Sequence, residues 1–340
     1  MQTAAIILAA GAGTRMKSKK PKVAHEVIGR PLVLWVADAA LAAGATRVIT
    51  VVGHEKEQVI PLVEGKTEIV VQPERKGTAD AVAVCKQALE GFEGSILVLS
   101  GDCPLITVET ITRLAREREQ GNAAVALLTM TFDDPYGYGR IVRNGAGEVQ
   151  AIIEQKDANE EQTFIKECNA GFYCFDAPWI FDALSRIDND NAQREFYLTD
   201  VVKIAVADGR KVVTVPTENP HECLGVNSRV QLAQATKVAQ QRINSIHMAN
   251  GVSMLDPDQV WIGPDVQIAQ DVELLPQVFL MGKTVVGEDS VLGPNTRLVD
   301  TVVGKGCRIE GAVAKGQKLE DGSVVRSQRL DSASIAPSAS

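Results

Sequence analysis

Between residues 260 and 298 the chain repeats itself every six positions: VWIGPD, VQIAQD, VELLPQ, VFLMGK, TVVGED, SVLGPN, TRL. Val, Thr or Ser opens each unit, at 260, 266, 272, 278, 284, 290 and 296. Two residues later comes an aliphatic: Ile262, Ile268, Leu274, Leu280, Val286, Leu292 and Leu298. Positions i and i+2 of an extended chain face the same side, so each unit points two side chains inward and then turns. Antiparallel hairpins need a spacing nearer about 8–12 residues. Six is too short for them, whereas a parallel β-helix takes one short strand per face. The register slips by one before Val303 and continues through Ile309. The last fourteen residues hold five serines and little to bury, which predicts a disordered tail over 327–340.

Upstream, to about residue 225, the texture differs. TAAIILAA is an apolar run opening onto glycines, as a strand buried on both faces would be. PLVLWVADAALAAGA (31–45) reads as a helix, TRVITVVG as a strand, GTADAVAVCKQALEG (77–91) as a helix and SILVLSGD (95–102) as another buried strand. TVETITRLAREREQG (107–121) is an amphipathic helix capped by Thr107. Such alternation implies an α/β domain whose mostly parallel sheet lies between helices, with ligands at the carboxyl ends of the strands. SRVQLAQATKVAQQRINSIHM, without Pro or Gly, reads as a helical connector. The predicted domains are thus 1–227, a connector 228–250 and repeats over 251–326.

The chain of 340 residues has a formal net charge of −8, the wrong sign for a nucleic-acid binder. Against that background residues 1–14 carry no charge and are followed by Arg15, Lys17, Lys19, Lys20 and Lys22. A cationic block so local suits a small anion better than a polymer. The uncharged stretch is too short to cross a membrane, and its charges follow it, the reverse of a signal peptide. Six cysteines show no C-x-x-C pair, as expected of reduced thiols in a cytoplasmic protein.

Three readings compete for LAAGAGTRM. Met16 stands where a dinucleotide-binding G-x-G-x-x-G needs its third glycine, and no Gly-Lys-Ser/Thr follows for a P-loop. An ordinary strand-to-helix turn explains Gly11 and Gly13 but not the cations. The remaining reading is a loop whose small residues admit a nucleotide while Arg15 and Lys22 reach its phosphates.

The motif LAAGAGTRMKSKKPK resembles the signature loop of the sugar-phosphate nucleotidyltransferases. QPERKGTADAV, LSGDCPLI, DPYGYGRIV, IIEQKDA, CNAGFY, REFYLTDVV and LGVNSR follow in order. With the six-residue repeat they resemble the bacterial bifunctional N-acetylglucosamine-1-phosphate uridyltransferase/glucosamine-1-phosphate acetyltransferase family, from residue 3 to about 326. The family loop before Gly-Thr usually reads Glu-Gln-Leu; here it is Glu-Arg-Lys. The resemblance implies a Rossmann-like nucleotidyltransferase domain followed by a short left-handed parallel β-helix. It also implies the reaction of UTP with N-acetylglucosamine 1-phosphate to give UDP-N-acetylglucosamine and pyrophosphate.

By that resemblance Arg15 meets the pyrophosphate leaving group and Lys22 the reacting phosphate, and Asp102 with Asn227 holds Mg2+. Leu8 and Ala9, with Ser100 and Gly101, border the substrate; the Ala10–Gly11 backbone and the Gln72 amide, both donating and accepting, read the base, and Gly77 and Thr78 open a helix close to it. Gly139, Glu154 and Asn169 take the sugar, with Tyr197 and Thr199 beside its acetyl group, while His25 is structural. The family's acetyltransferase uses a catalytic histidine in the longer β-helix. All four histidines here (25, 54, 221, 247) precede the repeat, so no acetyl transfer is expected. Family β-helices associate as trimers, and a homotrimer is expected. The rival expectations are the same transfer to another sugar phosphate, such as glucose or N-acetylgalactosamine 1-phosphate, and a non-catalytic UDP-sugar-binding scaffold.

Overall fold

The computed structural model describes residues 2–330. The chain divides into two compact units: one runs to Gln231 apart from Glu26–Arg30, and the other is Glu26–Arg30 with Leu232 onward.

The first unit is built on a nine-stranded sheet. In chain order its strands are β1 (Thr3–Leu8), β2 (Arg47–Val52), β3 (Glu68–Val71), β4 (Ser95–Ser100), β5 (Val125–Thr131), β6 (Arg140–Arg143), β7 (Val149–Ile153), β8 (Glu167–Asp176) and β9 (Val212–Pro216). The main order is β9-β5-β8-β4-β1-β2-β3, and β6 and β7 branch from β8. β1 pairs in parallel with β2 on one side and β4 on the other, so the chain reverses its direction of travel across the sheet at β1. A crevice opens outside the carboxyl ends at such a reversal. β8 runs antiparallel to β4 and β5, which makes the sheet mixed.

The alternation of side chains along β1 divides two cores. Ala4, Ile6 and Ala10 pack on one face with residues of Thr78–Ala83, Ala177–Leu184 and Val201–Ala207. Ala5, Ile7 and Ala9 pack on the other with Leu32–Ala42, Lys56–Val63 and Val108–Gln120. At about 25 cal/mol per Å2 of apolar surface, these buried strands are the principal stabilising term of the unit. The helix expected over 77–91 ends at Ala83. Beyond it the chain winds in tight turns (Cys85 N to Val82 O and Lys86 N to Ala83 O, both 3.0 Å) that carry Cys85 and Leu89 into the core. All six cysteines are buried free thiols.

The second unit is a left-handed parallel β-helix. Its short strands stack in three parallel sheets, each pairing with the strand about eighteen residues on: Val260 with Val278, Val278 with Thr296, Gln267 with Val285. Eighteen is three six-residue units, one per face. Val286 pairs with Val303, seventeen residues on, where the sequence register slips. Both repeat positions point inward: Val260, Val278, Leu274, Leu280, Leu292 and Leu298 are fully buried. Where Thr or Ser replaces Val, the hydroxyl bonds backbone inside or between coils. Thr284 Oγ1 donates to Met281 O at 2.7 Å, and Ser290 Oγ donates to Gly304 O at 3.0 Å while accepting from Cys307 N at 3.1 Å. Strand pairing continues to Arg329–Leu330, inside the expected tail, because Leu330 still finds a partner in Ala314. The rest of that tail lies outside the described residues.

Candidate active site

The crevice at the reversal holds a cavity of about 320 Å3. Leu8, Ala10, Gly11, Lys22, Gln72, Gly77, Thr78, Ser100 and Asp102 line it, all of them expected from sequence. Ala9 does not, because period two turns it into the opposite core. Gly101 contributes through its backbone, its N–H donating to Leu8 O at 3.0 Å to lock the two strand ends together. A larger cavity of about 690 Å3 is bordered by residues of 83–93 with Ala177, Pro178 and Phe181. Its wall is mostly apolar, with Lys86, Gln87, Glu90 and Glu93 also lining it, and it holds none of the residues expected from sequence.

At one end of the crevice Lys22, Asp102 and Asn227 converge. The Lys22 ammonium is ion-paired with Asp102 Oδ2 and donates to Asn227 Oδ1 at 2.9 Å. Asn227 is held by its own N–H donating to Gln231 Oε1 at 2.9 Å and its Nδ2 donating to Gly225 O at 3.2 Å. Val226 N donates to Asp102 O at 2.9 Å and draws this segment against the end of β4. A carboxylate oxygen and an amide oxygen therefore meet on one cation, a hard-oxygen donor pair of the kind a small divalent ion also accepts. Buried Cys103, beside Asp102, has its thiol pushed well up, first by desolvation and then by the neighbouring carboxylate, which leaves it protonated and inert.

At the other end stands Gln72, buried where β3 ends. Its Nε2 donates to Asp80 Oδ2 at 2.7 Å and to Gly77 O at 3.2 Å. Only an N–H can face a carboxylate and a carbonyl, so the amide orientation is fixed. The donor is spent inside the protein, and toward a ligand Gln72 offers its oxygen alone, narrower than the donor-and-acceptor role expected from sequence. Gly77 must be glycine: its φ is +127°, and a Cβ there would lie 2.3 Å from Phe196 O. Phe196 N donates to Lys76 O at 2.7 Å, Ala79 N donates to Phe196 O at 2.9 Å, and Leu198 N donates to Thr78 Oγ1 at 3.0 Å. The Gly-Thr pair thus clamps the segment that carries Tyr197 and Thr199.

A second group gathers on β6, β7 and β8. The bare Cα of Gly139 is the meeting point: a Cβ there would stand 3.5 Å from Glu154 Oε1 and 3.6 Å from Asn169 Cβ. Asn169 N donates to Gly139 O at 2.8 Å. The Asn169 side chain donates to Tyr173 OH at 2.6 Å and accepts from Gly171 N at 3.0 Å, keeping one Nδ2–H for a ligand. Burial raises the Glu154 carboxyl above the ordinary range; the neighbouring Thr199 hydroxyl opposes this, and Asp157 and Asp200 add to it. Burial, with Glu154 among the nearby carboxylates, likewise pushes the Tyr197 phenol up. Thr199 Oγ1 lies beside Glu154 and Tyr197 OH beside Gln193, but among the described residues neither buried hydroxyl completes a well-formed hydrogen bond. Buried hydroxyls left so are what a polar ligand satisfies.

Arg15 stands apart from both groups. It is exposed on the short helix Thr14–Met16, which buried Met16 pins to the fold, and it does not line the cavity. Arg75 and Glu195 line it and were not singled out from sequence. The available signal was the cation two residues before Gly77, where the resembling family has a neutral residue.

A family model described as a MobA-like NTP transferase domain matches residues 5–196. A bifunctional protein GlmU from Caldanaerobacter subterraneus is 47% identical over 304 residues, 89% of this chain and 66% of that protein. GlmU proteins from Bacillus velezensis and a Geobacillus species are 43% and 44% identical over 315 residues, in each case 93% of this chain and 69% of theirs. The chain spans about two thirds of the length of these relatives. With an NTP transferase domain in one unit and stacked six-residue coils in the other, the chain belongs to the family of bifunctional GlmU proteins.

Proposed function

We propose that this chain is a uridylyltransferase, joining UTP and N-acetylglucosamine 1-phosphate into UDP-N-acetylglucosamine with release of pyrophosphate. The observation that carries the reading is the convergence of Lys22, Asp102 and Asn227 at one end of a crevice whose other end holds the fixed Gln72 amide. A phosphate oxygen of the sugar phosphate attacks the α-phosphorus of UTP, and the bond to the bridging oxygen of pyrophosphate breaks. The attacking oxygen is already anionic, so no general base is needed. The difficulty is charge against charge, and catalysis is mostly placement and neutralisation.

Each group then has a task. The Lys22 ammonium, on the Asp102 side of the crevice, faces the phosphate that is attacked, and Arg15, on its exposed loop, takes the leaving pyrophosphate. Asp102 and Asn227 would hold Mg2+, which when bound neutralises phosphate oxygens. Gln72 Oε1 accepts from the imide N–H of uracil; cytosine presents a lone pair at that position and is disfavoured. Glu154 accepts from sugar hydroxyls, the spare Asn169 N–H meets the N-acetyl carbonyl, and Tyr197 and Thr199 complete that pocket. Homotrimeric assembly and residence in the cytoplasm belong to the same proposal. The exposed apolar Phe279, Val302, Val313 and Val324 on the solenoid support the first. No helix among the described residues is long and apolar enough to cross a membrane.

The test is pyrophosphate release from UTP with a panel of sugar 1-phosphates, with and without Mg2+. N-acetylglucosamine 1-phosphate with Mg2+ should give the highest kcat/KM, and Asp102→Ala should lower turnover by about 10²-fold or more. No pyrophosphate from any pair, or an unchanged Asp102→Ala, would overturn the reading.

A further inference from the structure

Gly139, Glu154 and Asn169 are tied together by a neighbour with no role so far. Arg140 is 1% exposed, one of the largest fully buried side chains in the protein. Among the described residues every partner of its guanidinium is neutral. Nη1 donates to Tyr138 O, and Nη2 donates to Gln155 Oε1 at 2.7 Å and Thr163 O at 3.5 Å. Nε has no partner among the described residues. A buried cation without a counter-ion is costly to desolvate, so its presence needs a reason.

The reason is in what those acceptors adjoin. Tyr138 immediately precedes Gly139, and Gln155 immediately follows Glu154. Across the sheet Arg140 sits opposite Ile153 on β7 and opposite Cys168, the residue before Asn169, on β8. Gln155 Oε1 also accepts from Gly137 N at 3.0 Å, so one amide oxygen joins the 137–140 turn to the end of β7. The planar fork thereby ties the segments that carry Gly139 and Glu154, while the Arg140 backbone pairs with the strand that carries Asn169. A lysine ammonium is a single point and cannot reproduce the two diverging arms.

We propose that Arg140 is a positioning residue for the sugar 1-phosphate. Through Tyr138 and Gln155 its guanidinium fixes the gap between the Gly139 backbone and the Glu154 carboxylate, and thus the fit of the sugar ring, without touching it. The proposal rests on the reading of Gly139, Glu154 and Asn169 as the sugar subsite.

Steady-state kinetics on the full chain test it, each substrate being varied with the other saturating. The variants are Arg140→Lys, Gln155→Leu and Glu154→Gln. Gln155 is only half-buried, so its variant keeps the test alive if Arg140→Lys fails to fold. Arg140→Lys and Gln155→Leu should each raise KM for the sugar phosphate by about tenfold, as expected for losing hydrogen bonds to a charged group. KM for UTP should stay within about twofold, because Gln72 and Lys22 are anchored elsewhere. If the folded variants leave the sugar KM unchanged, or raise both KM values together, the positioning role falls. Glu154→Gln separates the two levels. If it raises the sugar KM while the other two do not, only the positioning role is lost. If it too has no effect, the subsite reading fails and takes the proposal with it.

Discussion

On the proposed reading, Glu154 sets folding against function in a single side chain. Burial raises its carboxyl pKa, with Asp157 and Asp200 adding to the effect and Thr199 resisting it. A carboxyl whose pKa is higher folded than unfolded contributes stability that is fully present below its unfolded value, about 4.3. That stability is lost as pH rises through the elevated folded value. Once ionised, the carboxylate is an anion the fold disfavours, and the proposed hydroxyl-rich ligand would give it hydrogen-bond donors. Glu154→Gln keeps the shape and removes the charge. Its Tm should exceed that of the parent at about pH 7.5, and the two should converge as the pH falls to about 4. A lower Tm for the variant at neutral pH would mean that the carboxylate stabilises the fold, and the assignment would fail. Residues of this kind were unevenly legible in the sequence. Lys22 stood out as part of the cationic block that follows the uncharged first strand, and Asp102 as a carboxylate closing an uncharged strand. Arg75, Glu195 and Arg140 did not, since one charge in a loop or strand looks like any solvated one until the fold shows what it faces. The donor of Gln72 was out of reach for another reason: it is consumed by Asp80, eight residues on, and only the geometry reveals that pairing.

Among elements, the solenoid was legible and the sheet edge was not. A six-residue period with two inward positions leaves one way to coil, and the coils follow it down to the slip before Val303. Strand Glu68–Val71 and helix Lys56–Val63 escaped notice because the strand is half-exposed without clean alternation and the helix contains Pro61. The helix expected to reach residue 91 stopped at Ala83, where no Gly or Pro marks the change and core packing decides. The helix read as a connector has a further task within the second unit. Gln240 Nε2 donates to Val260 O at 2.7 Å and to Asp258 O at 3.0 Å, while Asn244 Nδ2 donates to Val260 O at 2.9 Å and Pro257 O at 2.8 Å. Both residues are buried, and they supply donors to the first coil, whose carbonyls have no preceding coil to serve them. Because the two amides share Val260 O, that carbonyl is orphaned only when both are gone. Gln240→Leu and Asn244→Leu should each cost about 1 kcal/mol, and the double variant should exceed their sum by roughly 1 kcal/mol more. Denaturant unfolding of the four proteins measures this. Strict additivity would show that the shared carbonyl is not what the pair protects.

For the whole molecule, the proposed function requires an acidic chain to attract a polyanion. The formal charge of −8 repels UTP at long range, while Lys22, Arg75 and the exposed Arg15 loop attract it near the crevice. Screening decides which term a given salt concentration removes. The Debye length is about 30 Å at 0.01 M and about 8 Å at 0.15 M ionic strength, so the diffuse repulsion is lost first and the contact attraction last. Contact attraction governs the bound state, because Lys22 is only 16% exposed and an ion pair so sheltered is screened little. The diffuse field governs encounter, where its sign opposes the substrate. The two dependences should therefore run in opposite directions. Between about 0.01 and 0.15 M salt, the association rate of UTP should rise as repulsion is screened. Its dissociation rate should change little over that range and increase only at higher salt. Stopped-flow binding at several ionic strengths, with Mg2+ activity held constant, resolves the two rates. An association rate that fell steadily with salt would mean that the local cations steer UTP from afar, and that the net charge of the chain is irrelevant to capture.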